Sequence, residues 1–280
     1  MNKKPCAPVP NAQKIETSQF ELAEAWPSKA HRIMDVAVLA GAILAQSGAE
    51  TYRVEDTMER ILRLEPNREV DVVSLMTGLY VTRTEEDGSY ISVVHRIRRR
   101  AIDLGKIDEV NRISRNLANG ACTIEEGYRA LRAVELRPQQ QKRMELLEIV
   151  AGVAFAVMLG SGWLETLFAI PAAMALIASQ RLLRSAVLGN FVPTFFQSLF
   201  TTFLIGLSAR LVPDIDPQRL TSAVLMILFP GTTLTSGIRD MIRGDYLAGG
   251  GNLLHALVTS SALAIGAGAG FFLGGGYHGL

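Results

Sequence analysis

Residues 220–238 read LTSAVLMILFPGTTLTSGI, nineteen residues without a charge, and Pro230-Gly231 stands in their middle. An uncharged run of this length is close to the ~20 residues that a membrane-spanning helix needs. Proline removes a backbone donor and glycine loosens the turn, so the run predicts a helix broken inside the bilayer. Such a break is tolerated only where protein or a water-filled cavity satisfies the freed backbone groups. Thr232 and Thr233 follow the break and are suitable caps for a second half-helix. Its free N–H groups and positive dipole end would then face a mid-membrane cavity, as in discontinuous transporter helices that hold a carboxylate. A plain proline kink, with the threonines bonding back to the preceding turn, is the other reading.

The charge distribution agrees with a membrane setting. Residues 1–143 hold 22 of the 28 Lys/Arg and 20 of the 27 Asp/Glu, whereas residues 144–280 hold 6 and 7. A water-soluble surface needs more charge than that. A charge at the bilayer centre costs at least ~2.5 kcal/mol, so a membrane domain sheds them. The expected architecture is an integral membrane helical bundle of about five spans, preceded by a small cytoplasmic α+β domain. Its divisions are a disordered tail at 1–28, the α+β domain at 29–143 and the transmembrane domain at 144–280. The spans fall near 146–161, 164–181, 186–209, 220–238 and 246–277. The first two are short and meet at Gly160-Ser161-Gly162, so a re-entrant pair is an alternative there. Five spans leave the N-terminal domain inside, with Arg181/Arg184 and Arg239/Arg243 in cytoplasmic loops. Arg210/Arg219 would then lie outside, against the rule, accompanied by Asp214 and Asp216. No apolar leader follows the N-terminus, and the setting is the cell inner membrane, multi-pass, with the lipid bilayer as a partner.

Within 29–143, Ile33, Val36, Ala37, Ala40 and Leu44 share one helical face, and Gly48 ends that helix. A second helix is expected over 51–64. Residues 69–83 are rich in β-formers, and Asp87-Gly88 turns the chain into a returning strand. Thr123-x-x-Glu126 is a capping box for a helix from 124 to about 136. Pro138 permits a fresh start into the membrane.

Further candidate positions come in groups. Asn190, Thr194 and Gln197 share a face of an apolar span interrupted by Pro193, either lining a substrate path or bonding neighbouring helices. Arg239, Asp240, Arg243 and Asp245 close the fourth span, as a gate or as an interfacial anchor. Asn252 and His255 lie one turn apart in the last span. There His255 is a proton carrier or a packing residue. Gly266, Gly270 and Gly274 read as a close helix-packing seam. Gln46 to Glu55, dense in polar groups between two helices, reads as a capped turn. Arg96, Arg98, Arg99 and Arg100 form either a solvated junction or a contact with anionic lipid headgroups.

Several classes lack support. The near-zero net charge argues against nucleic acid. Cys6 and Cys122 fit neither a disulfide framework nor a metal site. No phosphate-binding loop, nucleophile elbow or His-Glu-x-x-His is present, so no cofactor, metal or catalytic residue is expected and the chain is not read as an enzyme. Transport would run on an ion or substrate gradient. The spans offer amides, hydroxyls and one histidine but no buried acid, which favours an anionic cargo.

The run Leu44-Ala-Gln-Ser-Gly-Ala-Glu-Thr-Tyr-Arg-Val-Glu55, within His31–Leu64, resembles the start of the threonine/serine exporter family. So do Phe229-Pro-Gly-Thr-Thr-Leu-Thr-Ser-Gly-Ile-Arg-Asp240 and Arg243-Gly-Asp-Tyr246. The resemblance covers about residues 30–275. It implies export of threonine and serine, or of succinate-type dicarboxylates as in split relatives. Full-length members carry a second membrane domain, so the resemblance is to the N-terminal half of a two-component form. That form implies a second, smaller membrane subunit and a hetero- or homo-oligomer. It also places Pro230, Gly231, Arg239, Asp240 and Asp245 among the functional positions. The alternatives are a membrane-anchored regulatory subunit, or a hydrolase-like activity in the cytoplasmic domain.

Overall fold

The computed structural model describes residues 28–98, 100–138, 141–183 and 191–275, and the chain divides into two compact units. The first takes residues up to 139 and then Ser236–Gly251; the second takes 140–235 and residues from Asn252 onward. The expected tail up to Pro27, Arg99, Arg184 and Asn190 lie outside the described residues.

The first unit is built on α1 (Lys29–Gln46). Ser28 caps it by accepting the His31 N–H. The sequence predicts one apolar face, but nearly every side from Ala30 to Ala45 is buried. A helix that is apolar all round belongs in the centre of a core. Around it pack α2 (Thr51–Leu62), α3 (Leu104–Ala118) and α4 (Ile124–Leu136). The Thr123–Glu126 capping box forms as read, with both reciprocal bonds present.

The stretch read as one β region divides into two strands, a correction. Strands β1 (Val70–Leu75), β2 (Gly78–Thr84) and β3 (Tyr90–Arg96) form an antiparallel sheet in sequence order. Leu75 pairs with Gly78 across a two-residue turn at Met76-Thr77. No Asn-Gly or Asp-Gly marks that turn, so continuous β-formers conceal it. The inner face carries Leu79, Val81 and Arg83, all buried.

Arg83 is fully buried and ion-pairs with Glu65 and, at 3.2 Å, with Glu85. Lys29 also reaches Glu65, at 3.1 Å. Burial pushes the Glu65 carboxyl up, but the bonds from Arg83 and Lys29 outweigh it and hold the group below the usual range. A lowered folded-state pKa contributes stability above the unfolded value of about 4.3, and that stability is lost as pH falls through the folded value. Glu65→Gln is expected to cost about 1–3 kcal/mol at neutral pH, because Arg83 stays buried with a weaker partner. Melting of the purified full chain at neutral and acidic pH checks it: the gap from wild type should shrink on acidification.

The second unit contains α5 (Gln141–Met158), α6 (Trp163–Leu183), α7 (Phe191–Leu211), α8 (Pro217–Leu225) and most of α10 (Tyr246–Gly274). Its core is made of small and aliphatic side chains such as Ala156, Ala169, Ala172, Leu176, Ile205 and Ala223. Outward it presents Leu167, Met174, Phe196, Phe200, Leu254, Leu257 and Phe272, all exposed. A water-soluble protein does not show such a surface, and lipid requires one. Among the described residues α6, α7 and α10 are long and apolar enough to cross a membrane, and a bent helix pair makes a fourth candidate. Three or four of the roughly five expected spans are thus supported among the described residues. The span read at 146–161 falls in α5, whose first turns carry Arg143, Glu145 and Glu148. Glu145 in turn pairs with Arg181.

Candidate functional site

The break at Pro230 is present. Helix α8 passes into a 3-10 turn, Met226–Leu228, and Phe229 is extended (φ −65°, ψ 128°). The residue before a proline is driven out of the helical region, which explains Phe229. Helix α9 (Gly231–Ile242) then starts afresh, and the two halves are bent by 57°. Leu234 N–H bonds to Pro230 O at 3.0 Å, so the new helix counts from Pro230. Thr232 and Thr233 therefore lie inside its first turn and do not cap it, which corrects that detail. First-turn amides have no carbonyl one turn back within their own helix. Thr232 is exposed, and Gly231 and Thr233 are half-buried.

A second assembly lies within the first unit, where the end of α9 meets the start of α2. Arg239 ion-pairs with Glu50. Asp240, 2% exposed, accepts the Thr51 hydroxyl at 3.1 Å. The Arg243 guanidinium lies over the Tyr52 ring, 3.5 Å from its centroid. Gly244 takes φ +89°, a conformation that suits glycine, and lets Asp245 follow in position to accept the Ala248 N–H at the head of α10. Glu55, one turn along α2, accepts the Ser74 N–H at 2.8 Å. The turn read as merely capped and the cluster read as gate or anchor are thus one polar assembly.

In the second unit α7 buries a hydroxyl stripe: Thr194, Ser198, Thr201 and Thr202. Gln197 is half-buried. Ser198, Thr201 and Thr202 were not singled out in the sequence, although they continue the Thr194 face at helical spacing. Against this stripe lie Gly266 and Gly270 of α10, where any Cβ would meet Ser198 Oγ or Leu199 O. Gly274 faces Phe203 O and Gly206. The seam expected from the glycine spacing is real. Asn252 is 5% exposed and His255 is half-buried, its carbonyl accepting the Thr259 hydroxyl at 2.9 Å. Glu165, 6% exposed, accepts the Asp216 N–H at 3.0 Å, so the expectation of no acid buried in the spans is also corrected.

The profile of the threonine/serine exporter family matches residues 35–274, most of the chain. This chain belongs to the threonine/serine exporter family. A curated relative, a threonine/serine exporter of Corynebacterium glutamicum, is 24% identical over 257 residues. The match takes in 86% of this chain and 51% of the relative, so the chain spans about half the relative's length. No solved structure matches. The family is one of exporters rather than enzymes, and several apolar helices make this member a multi-pass membrane protein.

In this exporter-family chain the α2–α9 assembly gathers Glu50, Glu55, Asp240 and Asp245 with Arg239 and Arg243. Arg100 is near enough to Asp240 to feel its charge. Burial pushes the Glu55 carboxyl up; the Ser74 N–H pulls it partly back, and Asp245, Glu59 and Asp240 add to the rise. A carboxyl raised by folding favours the folded state at low pH, and this advantage is lost as pH rises through the unfolded and then the folded pKa. Glu55→Gln keeps an acceptor for Ser74 and removes the like-charge repulsion. It should raise the melting temperature at neutral pH and lose that gain in acid. A melting temperature lowered at neutral pH would contradict the electrostatic account.

Proposed function

We propose that this chain is one component of a secondary exporter of small carboxylate-bearing metabolites, threonine and serine first among them. The first turn of α9 takes the substrate carboxylate through the amides of Thr232 and Thr233 and its positive dipole end, the Gly231 N–H being bonded to Phe229 O at 2.8 Å. Pro230 keeps that turn open. Thr194 and Gln197, with Asn190, supply polar groups along the path. Arg239, Asp240, Arg243 and Asp245 act as a gate, and Asn252 and His255 serve coupling. The single observation that carries the reading is the interruption of an apolar span at Phe229-Pro230 in a member of an exporter family.

The reading places the chain in the inner membrane with its charged unit in the cytoplasm. The concentration of Lys/Arg in residues 1–143 supports that orientation. In this reading a second, smaller membrane component acts together with the chain. Inverted membrane vesicles test the proposal, with labelled threonine, serine and succinate offered under an imposed proton gradient, with and without that component. Uptake of threonine or serine supports the reading. Uptake of succinate alone moves the cargo to dicarboxylates. No uptake by inserted, folded protein sinks the export reading and leaves a regulatory subunit.

A further inference from the structure

We propose that Glu50, Thr51 and Tyr52 are positioning residues for export, gripping the far end of the helix whose first turn is Gly231–Thr233. The inference rests on the export reading above.

The three side chains are consecutive, and they meet three residues drawn from a single turn of chain at the end of α9: Arg239, Asp240 and Arg243. The contacts are unlike one another: an ion pair, a charge-assisted hydrogen bond and a cation–π stack. A set of unlike contacts admits one register, whereas apolar packing of the same area tolerates several.

Local structure is given up to make them. Glu50 occupies the N-cap of α2, yet no side chain caps that helix end. Helix caps contribute ~1 kcal/mol, and Thr51 is of a capping type. Both side chains turn instead to partners 189 residues away in sequence. Asp240 is also locally misplaced. A carboxylate in the last turn of a helix meets the negative end of the dipole. Its burial is tolerable because Thr51 donates to it, and an apolar residue would pack there at less cost. Fold stability alone therefore does not call for these residue types, whereas a fixed helix position does.

The lever is short. Asp240 lies nine positions beyond Gly231, about 14 Å at the helical rise. Without a covalent helix before Pro230 to continue its axis, α9 takes its direction from what holds its other end. The grip thereby sets where the first-turn amides point.

The test uses the full chain with its membrane component, in inverted vesicles, with insertion of every variant checked by a fluorescent tag. Glu50→Arg and Arg239→Glu should each lower the threonine export rate roughly tenfold or more, equivalent to at least one tenfold step in the barrier. The double swap should return to within about threefold of wild type, since it rebuilds the pair with its polarity reversed. Tyr52→Phe keeps an aromatic face for Arg243 and should retain the rate; Tyr52→Leu should not. A double swap no better than its worse single, or single variants with unchanged rates, would overturn the proposal. Thr51→Cys with Asp240→Cys, in a chain whose Cys6 and Cys122 are serine, gives a readout independent of transport. Oxidative cross-linking should be efficient, fall when Glu50→Arg is added, and recover with Arg239→Glu; equal yields in all three would overturn the grip. If wild type moves none of the substrates, the export reading fails by itself, and the cross-link still decides whether the grip exists.

Discussion

Pro230→Ala is expected to lower threonine export a hundredfold or more while leaving the chain inserted and at least as stable as before. Proline costs a helix interior roughly 3 kcal/mol relative to alanine, so the substitution favours one continuous helix through residues 217–242. In that helix the amides of Gly231, Thr232 and Thr233 bond to carbonyls a turn earlier. No donors remain for a carboxylate, and the dipole end is gone. A loss of two such donors accounts for a factor of this size, since one hydrogen bond to a charged group is worth about 1.5–3 kcal/mol, roughly tenfold or more. Initial rates in vesicles, normalised to inserted protein, measure it. Export within a factor of two of wild type would show that the break is only a kink.

A second substitution should act on the fold itself. Gly270→Leu puts a side chain where even a Cβ would collide with Leu199 O and the Thr202 hydroxyl. Backbone cannot give way as a flexible side chain can, so the cost should exceed the 1–3 kcal/mol typical of overpacking. The chain should fail to yield a monodisperse, folded species in detergent. Gly268→Leu is the control two residues along the same helix: a Cβ there meets nothing within 4 Å. Leucine facing lipid should leave melting and yield nearly unchanged. Equal tolerance of both variants would mean that α7 and α10 do not meet along this seam.

Local signals were the legible ones. Thr123 and Glu126 lie three apart and announce a helix start, and α4 begins where they say. Asp87-Gly88 forms its turn, and the glycine spacing of α10 identifies a packing face. The break at Pro230 is visible because a glycine follows the proline; Pro171 alone leaves α6 continuous. What escaped depends on partners distant in sequence. Met76-Thr77 carries no turn chemistry, so only cross-strand pairing reveals the bend. Residues 46–55 look like a solvated turn because nothing near them explains their charges. Residues 239–245 look like an anchor for the same reason. Each explains the other once the fold brings Thr51 to Asp240, and no periodicity encodes that meeting. The span expected at 146–161 is not among the supported candidates because Glu145 and Glu148 share its helix with apolar residues, and a helix can be continuous without being insertable throughout.

The division of the chain also bears on how the molecule is made. The first unit owns Ser236–Gly251, a piece that leaves the ribosome only after α5 to α8. Chains emerge vectorially and domains tend to complete in order of synthesis. Here the earliest-made unit is the one that must wait, holding the α2 surface at Glu50, Thr51 and Tyr52 uncovered while the intervening helices enter the bilayer. A nascent chain arrested before residue 236 should therefore bind chaperones and be cut readily by protease near residue 50. Release of the arrest, through residue 251, should confer protection in a single step.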